Sequence, residues 1–328
     1  MTTGIQLDGV SRKFGQIRAV DDLTIDVPQG SVAVLLGPNG AGKTTTVRLI
    51  TGSLRPDAGS IRVFGLDPIA DGQAVRQRCG VVPPKPALYD RLTGRNNLEY
   101  AAMIWDAPPE AIDEAAARFA IDDALHLKVA GYSTGMRTRL ALARAVLHDP
   151  DILLLDEPTA GLDPESARAV LDLIRELAGS GRTVIMATHL LHEAEGIADQ
   201  VILMGAGSAR AAGHPLELAA RYMKDPVVII DAENRDSLKT LESRDGVLGT
   251  SWNGALHMTI ESIEILPDLV AGLVNDGVRL TRIEPMAATL EHLYFEMQRQ
   301  LTEAAPPPEV AQQLPRNPKG SRTPPGPQ

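Results

Sequence analysis

Short apolar runs alternate with amphipathic stretches along residues 1–222. Val32–Leu36 and Ile152–Leu155 are wholly aliphatic, which is typical of strands buried on both faces of a parallel sheet. Thr183–Ala187 and Val201–Met204 predict two further strands. Because helical stretches separate these strands, the pattern predicts an α/β fold with a mostly parallel sheet and helices on both faces.

Helix signals occupy the intervals between the predicted strands. A helix is predicted at about Thr44–Thr51, with Gly52 at its end, and Pro164 stands at the favoured first position of another helix. Residues 91–148 are more helical than their surroundings and are interrupted at Pro108–Pro109. We interpret residues 91–148 as a helical insertion in the sheet domain.

The pattern of predicted strands and helices changes after the predicted sheet domain. Pro226–Asp231 predicts a strand, and Asn253–Gly254 predicts the turn of a hairpin. Pro267–Asn275 and Leu290–Arg299 predict two short helices. We therefore expect a small α+β domain over residues 223–300.

Composition adds three constraints. Aromatic residues make up only 3% of the chain, while hydrophobic residues make up 44%, so the core must be aliphatic. The formal net charge of −10 argues mildly against non-specific binding of nucleic acid, and we expect no nucleic-acid partner. Residues 301–328 are rich in proline and predict a disordered tail, with a role as a polyproline ligand as the alternative.

The sequence also bears on the cellular compartment. Cys79 is the single cysteine, so it cannot form an internal disulfide, which fits a reducing cytoplasm, and we expect it to be a packing residue. Met1–Gly9 lacks the features of a signal peptide. No stretch reaches the roughly 18 apolar residues of a membrane helix. If the protein serves a membrane, another chain must span it.

Residues 37–44 match the glycine-rich pattern that cradles nucleotide phosphates, and they join a predicted strand to a predicted helix. Glycines let backbone N–H groups approach a polyphosphate, and the following helix presents its positive end to it. We expect Lys43 to reach the β- and γ-phosphates of ATP and the Thr44 hydroxyl to bind Mg²⁺. A chance glycine loop is the alternative. The predicted ATP-binding residues of this segment are Gly37, Pro38, Asn39, Gly40, Ala41, Gly42, Lys43, Thr44 and Thr45.

Two acidic residues follow the predicted strand Ile152–Leu155. A carboxylate at the end of a buried strand can hold Mg²⁺ through water, and this is the role that we expect for Asp156. Glu157 could polarise the attacking water as a general base. An ordinary strand end is the alternative, and the phosphate-loop pattern earlier in the chain favours the catalytic interpretation.

Together these motifs resemble those of the nucleotide-binding subunits of ABC transporters, and the resemblance covers about residues 5–220. Tyr132–Met136 resembles the signature motif, Ala160–Asp163 the D-loop and His189 the switch histidine. Phe14 stands where the family places an adenine-stacking aromatic. Taken singly, Phe14 could be a core residue, His189 an ordinary strand-end histidine, and residues 133–135 a loop before a helix. Their shared order and spacing favour the family.

The resemblance implies a mechanism and partners. Two subunits would meet head to tail around two ATP molecules, with Ser133, Thr134 and Gly135 touching the γ-phosphate bound by the partner. Asp163 would link the two sites, and His189 would hold the γ-phosphate and the attacking water. The expected second subunit is a copy of this chain, although a sister subunit stays open.

The resemblance further implies transport. The signature variant and the C-terminal residues are similar to the drug-resistance and polysaccharide-export branch of the family. We expect the chain to energise export of a drug, lipid or glycan through a separate integral membrane permease. The permease would dock near Pro84–Leu98 and the adjoining helical insertion, so the protein would lie at the cytoplasmic face of the membrane. A soluble ABC-type switch without a permease is one alternative, and a GTPase or kinase is another.

Two positions depart from the family pattern. Pro84 stands where the family usually has a glutamine that reaches Mg²⁺ and water, and proline has no side-chain donor or acceptor. We expect slower hydrolysis or altered coupling as a result. Thr134 replaces the first glycine of the signature motif, which requires a backbone conformation that tolerates a Cβ atom.

Overall fold

The computed structural model describes residues 2–222 and 225–286 of the chain. The strands, in chain order, are β1 (Thr3–Phe14), β2 (Ile17–Pro28), β3 (Val32–Leu36), β4 (Ala58–Val63), β5 (Cys79–Val82), β6 (Ile152–Asp156), β7 (Thr183–Thr188), β8 (Gln200–Gly205), β9 (Ser208–Gly213), β10 (Val227–Ala232), β11 (Val247–Asn253), β12 (Ala255–Ile260) and β13 (Leu280–Pro285). The α-helices are α1 (Lys43–Ile50), α2 (Gly72–Gln77), α3 (Gly94–Trp105), α4 (Glu110–Arg118), α5 (Thr134–Val146), α6 (Pro164–Gly179), α7 (Leu191–Ile197), α8 (Pro215–Tyr222) and α9 (Leu266–Asn275).

A six-stranded sheet with the order β5-β6-β7-β3-β8-β9 forms the centre of the first part of the chain. Strands β5, β6, β7, β3 and β8 run parallel, and β9 pairs antiparallel with β8 at the edge. Every residue of β3, β6 and β7 is buried, as their aliphatic composition requires. The predicted α/β fold with a mostly parallel sheet is confirmed.

A second, antiparallel sheet with the order β2-β1-β4 packs beside this centre. Its inward side chains, including Ile5, Leu7 and Ile25, join one core cluster with Val47 and Ile50 of α1. This sheet therefore supports the helix that follows the glycine-rich loop. The apolar pattern did not predict it, because its strands carry polar residues and bulges between the buried positions.

Helices α3, α4 and α5 lie between β5 and β6 in the chain and pack around the buried Phe119. The predicted interruption at Pro108–Pro109 is confirmed, since α3 ends at Trp105 and α4 begins at Glu110. The predicted helix at Thr44–Thr51 is also confirmed, displaced by one residue as α1. Gly52 follows α1 with φ +67°, the left-handed conformation typical of a helix end.

The later part of the chain forms a four-stranded antiparallel sheet with the order β11-β12-β10-β13. The predicted hairpin is confirmed, because Asn253 pairs with Ala255 across Gly254, whose φ is +73°. Helix α9 and a 3₁₀ segment bury Leu238, Leu241, Leu269 and Leu273 against one side of the sheet.

Two sequence-based expectations lie outside the described residues: the helix at Leu290–Arg299 and the proline-rich residues 301–328. The domain limits at residues 222 and 300 stay predictions. Among the described residues, no helix combines the length and apolar character needed to cross a bilayer.

Candidate functional site

The glycine-rich loop, residues 37–44, connects β3 to α1 in a tight curve. Gly40 and Gly42 have φ values of +84° and +101°, which side-chain-bearing residues rarely adopt. A Cβ atom on Gly37 would lie 2.4 Å from the Met204 carbonyl oxygen, and one on Gly42 would lie 2.4 Å from the Ala19 carbonyl oxygen. The loop therefore requires glycine at both positions for steric reasons. Pro38, Asn39 and Ala41 complete the curve, and Thr44 and Thr45 lie in the first turn of α1.

The ammonium of Lys43 lies inside this curve. The Lys43 side chain is 6% exposed, and its Nζ donates hydrogen bonds to the carbonyl oxygens of Gly37 at 2.7 Å and Pro38 at 3.3 Å. Its third neighbour is Glu157, whose Oε1 lies 3.5 Å away. Together with the positive end of α1, this buried cation makes the loop suited to a polyphosphate.

Asp156 ends β6 beside the loop and is 2% exposed. Burial raises the pKa of its carboxyl above the usual value, and a hydrogen bond with the Thr44 hydroxyl opposes that rise. Among the described residues, its Oδ1 atom has no hydrogen-bond partner. An unpaired carboxylate oxygen beside a hydroxyl is a hard oxygen donor set of the kind that Mg²⁺ accepts, so Thr44 and Asp156 fit the predicted metal role.

Glu157 and His189 meet at the ends of adjacent strands. His189 Nδ1 lies 2.9 Å from Glu157 Oε2, a contact in which an Nδ1 hydrogen donates to the carboxylate. The backbone of Glu157 has φ +53°, an unfavourable conformation for this residue type, and its N–H donates to the Ala187 carbonyl at 2.8 Å. Strained backbone of this kind is concentrated at functional sites because the surroundings must hold it in place.

The predicted signature residues lie on the helical segment. Ser133 is the N-cap of α5, and its hydroxyl accepts a hydrogen bond from the Met136 N–H at 3.2 Å. Thr134 begins α5, so its backbone is helical and tolerates a Cβ atom, which explains why threonine can replace glycine there. An added Cβ on Gly135 would lie 3.6 Å from Ser166 Oγ. The signature segment therefore lies against the start of α6.

Asp163, in the predicted D-loop, is the N-cap of α6. Its carboxylate accepts a hydrogen bond from the Ser166 N–H at 3.0 Å, and this bond lowers the pKa of Asp163. The structure thus gives Asp163 a capping function, whereas its expected role between two sites requires a second subunit.

Phe14 ends β1 with 45% of its surface exposed, so it is not a core side chain. The Arg12 guanidinium lies 5.1 Å from the centre of the ring, a distance suited to a cation–π contact. Arg12 is itself fixed by Asp57 at 2.7 Å. The ring is therefore held at the surface, as a stacking residue must be.

Pro84 lines a cavity of about 240 Å³ that is also lined by Thr44 and Asp156. Trp105 of α3 lines the same cavity and stacks on His148, with 4.4 Å between the ring centres. Position 84 is thus close to the predicted metal ligands, yet its proline offers them no ligand atom.

Sequence reasoning missed three residues behind this site. Glu193 of α7 accepts hydrogen bonds from the hydroxyls of Thr159 and Thr188. All three are buried. No sequence pattern distinguishes this glutamate, because the residues that it contacts come from two other segments of the chain.

The structure brings one group of predicted residues together and leaves another apart. The loop residues, Asp156, Glu157 and His189 converge at the carboxyl ends of β3, β6 and β7. Within residues 2–222 and 225–286, the hydrogen bonds of Ser133 remain inside α5, at Met136 and Arg137.

Residues 20–160 match the family model described as ABC transporter. The chain is 36% identical to the daunorubicin resistance ATP-binding protein DrrA3 of Streptomyces coeruleorubidus, over 92% of this chain and 99% of the relative. It is 34% identical to the Nod factor export ATP-binding protein I of Ralstonia nicotianae, over 72% of this chain and 75% of the relative.

The fold is similar to those of solved structures with the same description. An ATP-binding subunit of an ABC transporter superposes with a TM-score of 0.61 and 27% identity, over 66% of this chain and 92% of that one. The cbiO1 protein of Clostridium perfringens, part of an ABC transporter complex, superposes with a TM-score of 0.61 and 26% identity, over 67% of this chain and 92% of that one. With its nucleotide-binding loop, its fold and these relatives in agreement, the chain belongs to the ABC transporter family, as an ATP-binding subunit that hydrolyses ATP.

Proposed function

We propose that two copies of this chain pair head to tail around ATP and energise export of a hydrophobic drug, lipid or glycan through a separate integral membrane permease. Two relatives support the cargo class, because one is named for daunorubicin resistance and the other for Nod factor export. Attachment to the permease would hold the protein at the cytoplasmic face of the membrane.

The phosphate loop supplies the binding half of the reaction. Its backbone N–H groups and the Lys43 ammonium hold the phosphates of ATP, and Phe14 stacks on the adenine. Thr44 and Asp156 would hold Mg²⁺, and that ion would supply neutralisation of the charge on the phosphate oxygens. Because Asp156 is buried, its carboxylate lacks competing solvent, and its hydrogen bond with Thr44 keeps the two groups together.

Glu157 and His189 supply the chemical half. Glu157 accepts a proton from the attacking water, and His189 fixes the carboxylate through the 2.9 Å contact. The 3.5 Å separation between Lys43 and Glu157 brings the phosphate-binding cation beside the base. Ser133, Thr134 and Gly135 complete the site of the partner subunit, and Asp163 lies between the two sites.

An exposed apolar surface on the helical segment carries the transport proposal. We name Tyr89, Tyr100, Met103 and Ile104 the docking stripe. Met103 is 77% exposed and Ile104 is 60% exposed, and Tyr100 lies on the same face of α3 at helical spacing. Tyr89 meets Tyr100 edge to face with 5.3 Å between ring centres. Clustered exposed apolar side chains mark interaction surfaces, and an apolar cytoplasmic segment of the permease would cover this one.

Trp105 connects the docking stripe to the nucleotide site. It follows Ile104 at the end of α3 and lines the cavity that contains Thr44, Pro84 and Asp156. It also lines a neighbouring cavity with Tyr89 and Tyr100. A partner that seats on the docking stripe would therefore contact the neighbours of Trp105, which shares a cavity with the predicted metal ligands.

The test is a pull-down from native membranes with the Glu157→Gln variant and ATP, because slow hydrolysis should hold the closed dimer. We expect mass spectrometry to identify a multi-helix membrane protein in the bound fraction. Adding Met103→Asp and Ile104→Asp should remove it while leaving ATP affinity unchanged. Leu216→Asp is the matched control, since Leu216 is 69% exposed but lies on α8.

Recovery of the membrane protein by the control and its loss from the docking-stripe variant would support the proposal. Recovery by both would exclude the docking stripe as the contact surface. Recovery of ribosomal or DNA-associated proteins alone would overturn the transport function and favour the soluble switch.

A further inference from the structure

Glu193 is a buried carboxylate that the proposed chemistry does not use. It lies on α7 with 1% of its surface exposed. Its Oε1 accepts a hydrogen bond from Thr159 Oγ1 at 2.5 Å, and its Oε2 accepts one from Thr188 Oγ1 at 2.8 Å. Both hydroxyl groups are themselves buried. A carboxylate is costly to bury, so its two oxygens and their partners must be closely matched.

The two threonines belong to the segments that carry the proposed catalytic pair. Thr159 comes two residues after Glu157, and Thr188 comes directly before His189. Glu193 therefore joins both segments through their threonine hydroxyls. Since one buried carboxylate bonds a side chain of each segment, it restricts the distance between the two catalytic side chains.

The same bonds continue around His189 to the phosphate loop. Thr188 Oγ1 accepts a hydrogen bond from the Leu190 N–H at 3.1 Å, so this one hydroxyl bridges the residues on either side of His189. The Thr188 carbonyl accepts one from the Gly37 N–H at 3.4 Å. Displacement of Thr188 would therefore disturb both the switch histidine and the start of the phosphate loop.

We propose that Glu193 is a positioning residue for ATP hydrolysis. Through Thr159 and Thr188, it fixes the positions of Glu157 and His189 relative to each other. The inference rests on the proposed roles of Glu157 and His189. Small misplacements of catalytic groups reduce the rate of a reaction strongly while affecting binding little. Loss of the Glu193 bonds should therefore lower kcat and leave ATP affinity nearly unchanged.

A matched pair at Thr159 separates positioning from packing. Thr159→Val keeps the shape of the side chain but removes the hydroxyl, whereas Thr159→Ser keeps the hydroxyl but removes a methyl group. If the hydrogen bond positions Glu157, the serine variant hydrolyses ATP at least about tenfold faster than the valine variant. If the methyl packing matters instead, the order reverses.

The measurement is steady-state ATP hydrolysis by the full chain, with KM and kcat separated and ATP affinity determined by fluorescent nucleotide binding. Glu193→Gln provides a second variant, should Thr159→Val fail to fold. Glutamine offers one acceptor oxygen in place of two, so it can keep only one of the two hydroxyl donors in its present orientation. For Glu193→Gln we expect a kcat between those of the wild type and Thr159→Val. Its ATP affinity should stay within about threefold of the wild type.

Valine activity equal to or above serine activity, or wild-type kcat for Glu193→Gln, would overturn the positioning role. The valine–serine difference should also vanish in a His189→Ala background, because no aligned pair remains there. A difference that persists unchanged in that background would contradict the inference. Wild-type rates for both Glu157→Gln and His189→Ala would instead overturn the proposed catalytic roles themselves, which distinguishes that failure from failure of Glu193 alone.

Discussion

The two halves of the nucleotide site differ in how completely one chain assembles them. The loop half is closed within the chain: Lys43 is buried against Glu157, and Glu157 contacts His189 at 2.9 Å. The signature half is carried by α5, where Ser133 caps its own helix and Gly135 faces Ser166. The catalytic pair of the loop half meets through contacts between distant segments, whereas the hydrogen bonds of Ser133 among the described residues stay within α5.

This difference supports a site shared between subunits. In the proposed arrangement, a single chain would bind ATP without the signature residues beside the γ-phosphate. A second copy in head-to-tail orientation would supply them, and a symmetric pair would make two equivalent sites. Each prediction below alters one half and leaves the other unchanged.

The largest expected effect comes from the loop half. Glu157→Gln should lower kcat for ATP hydrolysis by about 10²- to 10³-fold, because it removes the general base. ATP affinity should stay near the wild-type value, since the phosphate contacts remain. Glu165→Gln, an exposed carboxylate in the first turn of α6, should leave kcat unchanged. A kcat for Glu157→Gln near that of the control would show that another group takes the proton.

The signature half allows a matched comparison of helix caps. Ser133→Ala and Thr93→Ala each remove an N-cap side chain of the helical segment, at α5 and α3 respectively. Both should lower the free energy of unfolding by about 1 kcal/mol. Only Ser133→Ala should also lower kcat, by about tenfold, because Ser133 alone would contact the partner's nucleotide. Equal kcat values for the two variants would remove the signature role of Ser133.

Replacing Pro84 by the glutamine that is usual in the family should increase activity. Pro84→Gln should raise kcat by about 3- to 10-fold, because it would place an amide oxygen in the cavity that Thr44 and Asp156 also line. Pro86→Gln is the matched control, as the same substitution two residues away from position 84. If Pro84→Gln turns over ATP no faster than the wild type, the expectation that Pro84 slows hydrolysis is contradicted.

The smallest effect concerns stability and its dependence on pH. Because burial raises the pKa of Asp156, its ionisation opposes folding, so stability falls as pH rises through the raised pKa. Above that value, Asp156→Asn should be more stable without nucleotide by about 1 kcal/mol. The gain should disappear below the ordinary carboxyl value of 3.8, where the wild-type side chain is neutral.

Thermal or denaturant unfolding at several pH values measures this difference. Asp151→Asn is the control, since Asp151 is exposed and pairs with Arg78 at 2.6 Å. The control should lose stability slightly rather than gain it. A constant difference between Asp156→Asn and the wild type across pH would contradict the raised pKa.

The central sheet was accessible to sequence reasoning for a physical reason. Strands buried on both faces must be continuously apolar, so Val32–Leu36 could be predicted with its exact observed bounds. The antiparallel strands β1 and β2 mix buried and exposed positions with bulges, and this pattern is ambiguous in a single sequence. Helix α1 and the hairpin at Gly254 were predictable because glycine marks each of them.

The candidate site divides in the same way. Motifs contiguous in sequence, such as residues 37–44 and the pair Asp156–Glu157, were predictable from residue types alone. The contact between Glu157 and His189, the cavity beside Pro84 and the bonds of Glu193 join segments that are far apart in the chain. Such contacts depend on the order of strands in the sheet, which local pattern does not specify.

Sedimentation of the Glu157→Gln variant, with and without ATP, tests the shared site most directly. We expect a monomer without nucleotide and a dimer with ATP. The same variant with Ser133→Arg added should bind ATP with unchanged affinity yet remain a monomer, because a bulky cation would block the signature contact. A dimer that survives Ser133→Arg, or a Glu157→Gln protein that binds ATP and stays monomeric, would contradict a site completed by the partner's signature residues.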